Sequence, residues 1–144
     1  MKPIYAFFAV FALGASAFAH GNATGAVLER MEGMKSIQAA MKVLGKQANS
    51  NDTFDRDLVS AAANDIAVHA HNIPALFAEK DMSMPTEAKA EIWDDMDAFN
   101  TLAHDLESAA MAAATVQNGD DLKSAMAAIG ASCKACHSQY RIKN

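Results

Sequence analysis

Apolar residues recur along this chain at intervals of three and four, the spacing of one helix face, and no stretch alternates as a strand would. Three breaks divide the pattern. The first is the polar run from Gly45 to Asp52, where Asn49, Ser50, Asn51 and Asp52 offer N-caps. The second is 78–85, with Pro85 suited to the first turn of a new helix. The third is Asn118-Gly119-Asp120, a stop followed by a cap.

Between the breaks, four amphipathic helices are predicted. About 24–45 aligns Arg30, Met34, Ile37, Met41 and Leu44. About 53–79 aligns Leu58, Ala62, Ile66, His69, Ile73 and Leu76, with Pro74 bending its end. About 85–117 aligns Ile92, Met96, Phe99, Ala103 and Leu106. About 120–142 aligns Leu122, Met126, Ile129, Cys133, Cys136 and Tyr140. Apolar stripes of this width on helices joined by short connections predict an all-α fold, an antiparallel up-down-up-down four-helix bundle.

The first nineteen residues stand apart. Met1-Lys2 opens positively, 4–13 is almost wholly apolar, and Ala17-Phe18-Ala19 gives a small-x-small cleavage pattern. This reads as a signal peptide (1–19) that is removed, its apolar run too short to span a bilayer, leaving one domain at 20–144 that begins with His20. The segment takes with it four of the 7 Phe, namely Phe7, Phe8, Phe11 and Phe18. What remains is rich in Ala and Met and poor in aromatics. Losing Lys2 moves the net charge from −5 to −6, which opposes a nucleic-acid partner because phosphates need a basic stripe. No other run suggests stable membrane insertion.

The fourth segment contains Cys133-Lys134-Ala135-Cys136-His137. In an exported chain, C-x-x-C-H is the attachment signature of c-type haem. Positions i, i+3 and i+4 share a helix face, so two thiols can bond the haem vinyl groups while His137 takes the iron as proximal axial ligand. A thioredoxin-like pair would want its first Cys at a helix N-terminus, and Cys133 lies far inside the segment. A zinc site would need a further ligand pair, which is missing at suitable spacing. The expected cofactor is one covalent haem c, and no catalytic acid, base or nucleophile accompanies it.

Function then turns on the other side of the iron. Methionine there gives a low-spin electron-transfer centre; an apolar residue would leave the iron five-coordinate and open to gases. Met34 and Met31, on the first segment's stripe, are the candidates, and Gly33 beside Met34 suggests room for a flat ring. Arg30, one turn before Met34, and Arg141, four residues after His137, are candidates for haem-propionate or pocket contacts. His69 and His71 point to different sides of their helix and form no metal pair. His104 and the acidic Asp94, Asp95 and Asp97 read as surface groups.

Cys133–Arg141 matches the C-x-x-C-H-x-x-Y/F-R ending of class II c-type cytochromes, and Ile73-Pro74-Ala75-Leu76-Phe77 is similar to that family's kinked second helix. On these residues the chain resembles the cytochrome c′ family. Met34-Lys35, followed by Met41-Lys42-Val43-Leu44-Gly45, is similar to its low-spin branch, the cytochromes c-556. The resemblance implies Met34 as distal ligand, with Met31 as competitor. It further implies a periplasmic one-electron carrier rather than an enzyme, exchanging electrons with redox partner proteins. High-spin members, which bind nitric oxide or carbon monoxide, define the alternative. Members also pair through their first two helices, so a homodimer is among the assemblies implied.

Overall fold

The structure, a computed structural model, describes residues 25–49 and 53–143. The expected signal peptide, His20 and the last three residues of the first break, 50–52, lie outside the described residues. Four helices follow in order: α1 (Gly25–Ala48), α2 (Arg56–Leu76), α3 (Met96–Ala113) and α4 (Gly119–Tyr140), with a short 3-10 helix at Ala90–Trp93 before α3. Neighbours in sequence pack side by side, and α1 closes the bundle against α4, the least intimate of the four seams. None of the described helices is long and apolar enough to cross a membrane.

Side-chain caps set three of the starts. Asp55 accepts from Leu58 N at 2.9 Å, Asp95 from Ala98 N at 3.3 Å, and Asn118 from the amides of Asp120 and Asp121 at 3.1 and 2.9 Å. Each satisfies amide donors that a first turn leaves without intrahelical partners. The cap of α2 is therefore Asp55, later than the expected 49–52. Helix α1 runs through Gly45 to Ala48. A Cβ at Gly45 would meet Met126 Cε at 3.7 Å, an ordinary van der Waals distance, so the glycine sits within α1 facing α4 rather than ending the helix.

Two other expectations are corrected. Pro85 does not open a helix: α2 ends at Leu76, and 77–95 is irregular apart from the 3-10 turn, so the third helix is Met96–Ala113 rather than 85–117. Tertiary bonds hold this stretch. Trp93 Nε1 donates to Phe77 O at 2.8 Å, and Arg30 reaches three carbonyls within or just before it. On α2 the core takes Val59, Ala62, Ala63, Ile66, Ala67, Ala70 and Ile73, leaving Leu58 43% exposed. Small alanines let helix axes approach closely, so the buried face turned by one residue towards them.

Two close approaches fix the register of α1 against α4. Gly45 meets Met126, and a Cβ at Gly119 would lie 3.6 Å from Ala48 O. Counting eleven residues back from Gly45 and forward from Met126 pairs Met34 with His137; counting fourteen from Ala48 and Gly119 pairs Met34 with Cys133. Met34 therefore stands level with the 133–137 stretch. Met31 stands level with 136–140.

Candidate haem-attachment site

Cys133, Cys136 and His137 lie in the last two turns of α4, all half-buried, and both cysteines are free thiols packed against the edge of the core. Burial raises both thiol pKa values, that of Cys136 to about 11 with Cys133 adding to the effect. Neither is poised as a thiolate, in contrast to a redox pair at a helix N-terminus. Burial also lowers the His137 pKa, reinforced by Arg141 and opposed by Glu87, favouring the neutral imidazole that a metal needs.

The helix stops immediately after these residues. Arg141 N donates to His137 O at 3.3 Å, and the chain then turns into a short antiparallel bridge with the segment before the 3-10 helix. Lys89 N donates to Tyr140 O at 2.9 Å and Ile142 N to Glu87 O at 2.8 Å. Arg141 is ion-paired with Glu87, at 2.6 Å from Nη2 and 2.7 Å from Nε. Glu87 had no signal in the sequence, since only the folded loop brings it beside Arg141.

The apolar stripes of α1 and α4 are interrupted at the same height. Between Arg30 and Ile37 no residue of α1 is fully buried, and Met34 is 36% exposed. Between Ile129 and Tyr140 the same holds on α4. The gap on α4 is its longer one, since Leu122 and Ile129 bracket only the half-buried Ala125 and Met126. Two thiols, one imidazole and a thioether at one level, on faces that helix packing leaves incomplete, suit a large flat apolar group bonded through sulfur and nitrogen. The residues present fit a covalent haem.

Gly33 does not supply room beside Met34. A Cβ there would meet His69 Nδ1 at 3.6 Å, so this glycine faces α2. Arg30 is 6% exposed, and among the described residues it is the buried charged side chain. It donates to Leu76 O at 2.8 Å, Asp81 O at 3.0 Å and Glu79 O at 3.1 Å. Its guanidinium carbon lies 4.3 Å from the Phe77 ring centroid and 5.5 Å from that of Trp93. Desolvation lowers its pKa and Asp81 counters it, yet a guanidinium stays charged. One of its N–H groups thus caps the end of α2 and two more hold the loop that follows, a role the sequence did not suggest. His71 and His104 are exposed, as expected, and both bond Glu107, at 3.0 and 3.3 Å. No group of three or more His, Cys, Asp or Glu among the described residues could hold a metal ion.

Comparison with known proteins agrees with this geometry. A cytochrome c′ family model matches residues 25–141. Cytochrome c-556 of Agrobacterium tumefaciens (strain apple 185) is 34% identical over 112 residues, covering 76% of this chain and 89% of the relative. Cytochrome c′ of Rhodopseudomonas palustris is 30% identical over 122 residues, covering 83% and 84%. An NMR-validated structural model of oxidised R. palustris cytochrome c556 superposes with a TM-score of 0.71 at 29% identity, covering 83% of this chain and 97% of that one. The four-helix bundle and one covalent haem c follow. The chain belongs to the cytochrome c′ family, haem proteins that carry electrons or bind gases.

Proposed function

We propose that the protein is a periplasmic one-electron carrier whose iron is held by His137 on one side and Met34 on the other. The observation that carries this is the α1–α4 register, which sets Met34 level with Cys133–His137. Cys133 and Cys136 anchor the haem as thioethers, and covalent attachment keeps it in a bundle too small to grip it otherwise. When bound, the haem supplies a one-electron couple whose potential methionine ligation raises. The chain contributes axial ligands, burial and charge. His137 is flanked by the Arg141–Glu87 ion pair, and its burial favours the uncharged imidazole. No bond-making step is assigned to any side chain.

Residues 1–19 act as the export signal on this proposal, and redox proteins of the periplasm are the partners. Leu28 on α1 and Leu58 and Val68 on α2 stay exposed, and a homodimer through these two helices would cover them. The second reading is a five-coordinate binder of nitric oxide or carbon monoxide. The half-exposed Met34 and the similarity to a protein named cytochrome c′ favour it.

Replacing each methionine assigns the distal ligand. Met34→Ala is expected to turn the oxidised iron high-spin and open the ferrous form to rapid carbon monoxide binding, with Met31→Ala unchanged. The reverse pattern would transfer the role to Met31.

A further inference from the structure

Arg30 spends a buried charge where a helix end could have been capped by water or by a local side chain. Burying a guanidinium carries a desolvation cost that its three carbonyl bonds and two aromatic faces offset. The carbonyl of Leu76 belongs to the last turn of α2, where the helix dipole is negative and acceptors lack intrahelical donors. The distinctive feature is that the cap comes from α1. It ties the second turn of that helix to the end of α2 at one fixed height.

From there an unbroken stack crosses the bundle to α4. The Phe77 ring receives the Arg30 guanidinium at 4.3 Å and lies 4.9 Å from Phe99, and Phe99 meets Tyr140 edge-on at 5.3 Å. All four side chains are buried, each 7% exposed or less. Met34 follows Arg30 by one turn on α1. His137 precedes Tyr140 by about one turn on α4, which runs the opposite way, so both lie on the same side of the stack. At 1.5 Å per residue, His137 sits roughly 4.5 Å and Met34 roughly 6 Å beyond it. One rigid layer is thus shared by the helix bearing the proximal ligand and the helix bearing the distal one.

We propose that Arg30 is a positioning residue for distal ligation: with Phe77, Phe99 and Tyr140 it sets the height and spacing of α1 against α4, and so holds Met34 within reach of the iron. This rests on Met34 as the distal ligand. Loosening the layer leaves the proximal attachment intact but lets α1 shift, so that the methionine-off population grows. In effect the stack decides whether this bundle behaves as a closed carrier or as an open gas binder.

The test uses the haem-loaded protein in four variants. Arg30→Met removes every donor at similar length, and Arg30→Lys keeps the charge without the fork. Phe77→Leu breaks the stack, and Leu44→Ala destabilises the far end of α1. Three quantities are read: the methionine-to-iron charge-transfer band of the oxidised protein, the carbon monoxide association rate of the ferrous protein, and Tm. Arg30→Met and Phe77→Leu are expected to lose most of the band and bind carbon monoxide about tenfold faster or more, in proportion to the methionine-off fraction. Arg30→Lys should recover part of both, and Leu44→Ala should lower Tm while keeping the native band.

An Arg30→Met protein with lowered Tm but native band and native rate would overturn the proposal, leaving Arg30 a structural cap. If Arg30→Met takes up no haem, Phe77→Leu decides by the same criteria. Failure of both to mature, with Leu44→Ala maturing, would mark a folding role and count against positioning. A native protein without the band would refute Met34 ligation itself, a result separable from the others because it needs no variant.

Discussion

The α2–α3 seam and the α1–α4 seam are built from the same helical periodicity and end up differently. Between α2 and α3 the buried faces are continuous and dominated by alanine: Ala62, Ala63, Ala67 and Ala70 on one helix, Ala103, Ala110 and Ala113 on the other. Such faces are complete once the helices touch. Between α1 and α4 one end is closed by contact, Gly45 against Met126 and Gly119 against Ala48, but towards the other end both helices are interrupted at one height. The half-buried residues there are two thiols and an imidazole on α4 and Met31 on α1, with Met34 beside them more exposed. Where only helices must meet, small residues suffice. Where a cofactor belongs, the stripe breaks and residues with sulfur and nitrogen donors occupy the break.

Substitutions can break this comparison. The largest expected effect comes from Cys136→Ala, which removes one of two thioether anchors. Haem then held through Cys133 alone should keep one unreacted vinyl group, shifting its pyridine haemochrome band to longer wavelength than that of the native protein. A native band would remove Cys136 from the attachment site. Next, Ala110→Leu on the closed seam should cost about 1–3 kcal/mol by overpacking a site with no exposed surface. The ligation spectrum should stay unchanged, which a denaturant titration with parallel absorption would check.

The smallest effect belongs to Glu107, which links α3 to α2 through His71 and also bonds His104 on its own helix. Its carboxyl is held below the usual range chiefly by the hydrogen bond from His104, then by His71. A lowered folded pKa stabilises the fold above the ordinary carboxylate value and loses that contribution as pH falls through the lowered one. Glu107→Gln should therefore show a small Tm deficit near pH 5–6 that shrinks below about pH 4.5. A deficit that grows on acidification would contradict the assignment.

Helix number and type were legible because long stripes at the helical period leave little choice. The C-x-x-C-H face was legible because its spacing alone places three donors together. Leu58 was misplaced because periodicity cannot say which of two adjacent faces, one leucine-bearing and one alanine-rich, turns inward. The irregular 77–95 stretch was misread because Pro85 fits a helix start equally well. What overrides it, the bonds from Arg30 to Leu76, Glu79 and Asp81 and from Trp93 to Phe77, joins residues distant in sequence. The carbonyl partners of Arg30, one at the end of α2 and two in the loop beyond it, were hidden because they are distant in sequence. Asp95, the cap just before Met96, was missed because a helix placed at 85–117 leaves it an interior surface group.

The central claim is that Met34 and His137 hold the iron from opposite sides in a closed carrier. The absorption spectrum of the native oxidised holoprotein tests it most directly. A low-spin spectrum carrying a methionine-to-iron charge-transfer band, with a ferrous form slow to take up carbon monoxide, is the predicted result. A high-spin spectrum without that band, with rapid carbon monoxide binding, would contradict it and make the protein a gas binder.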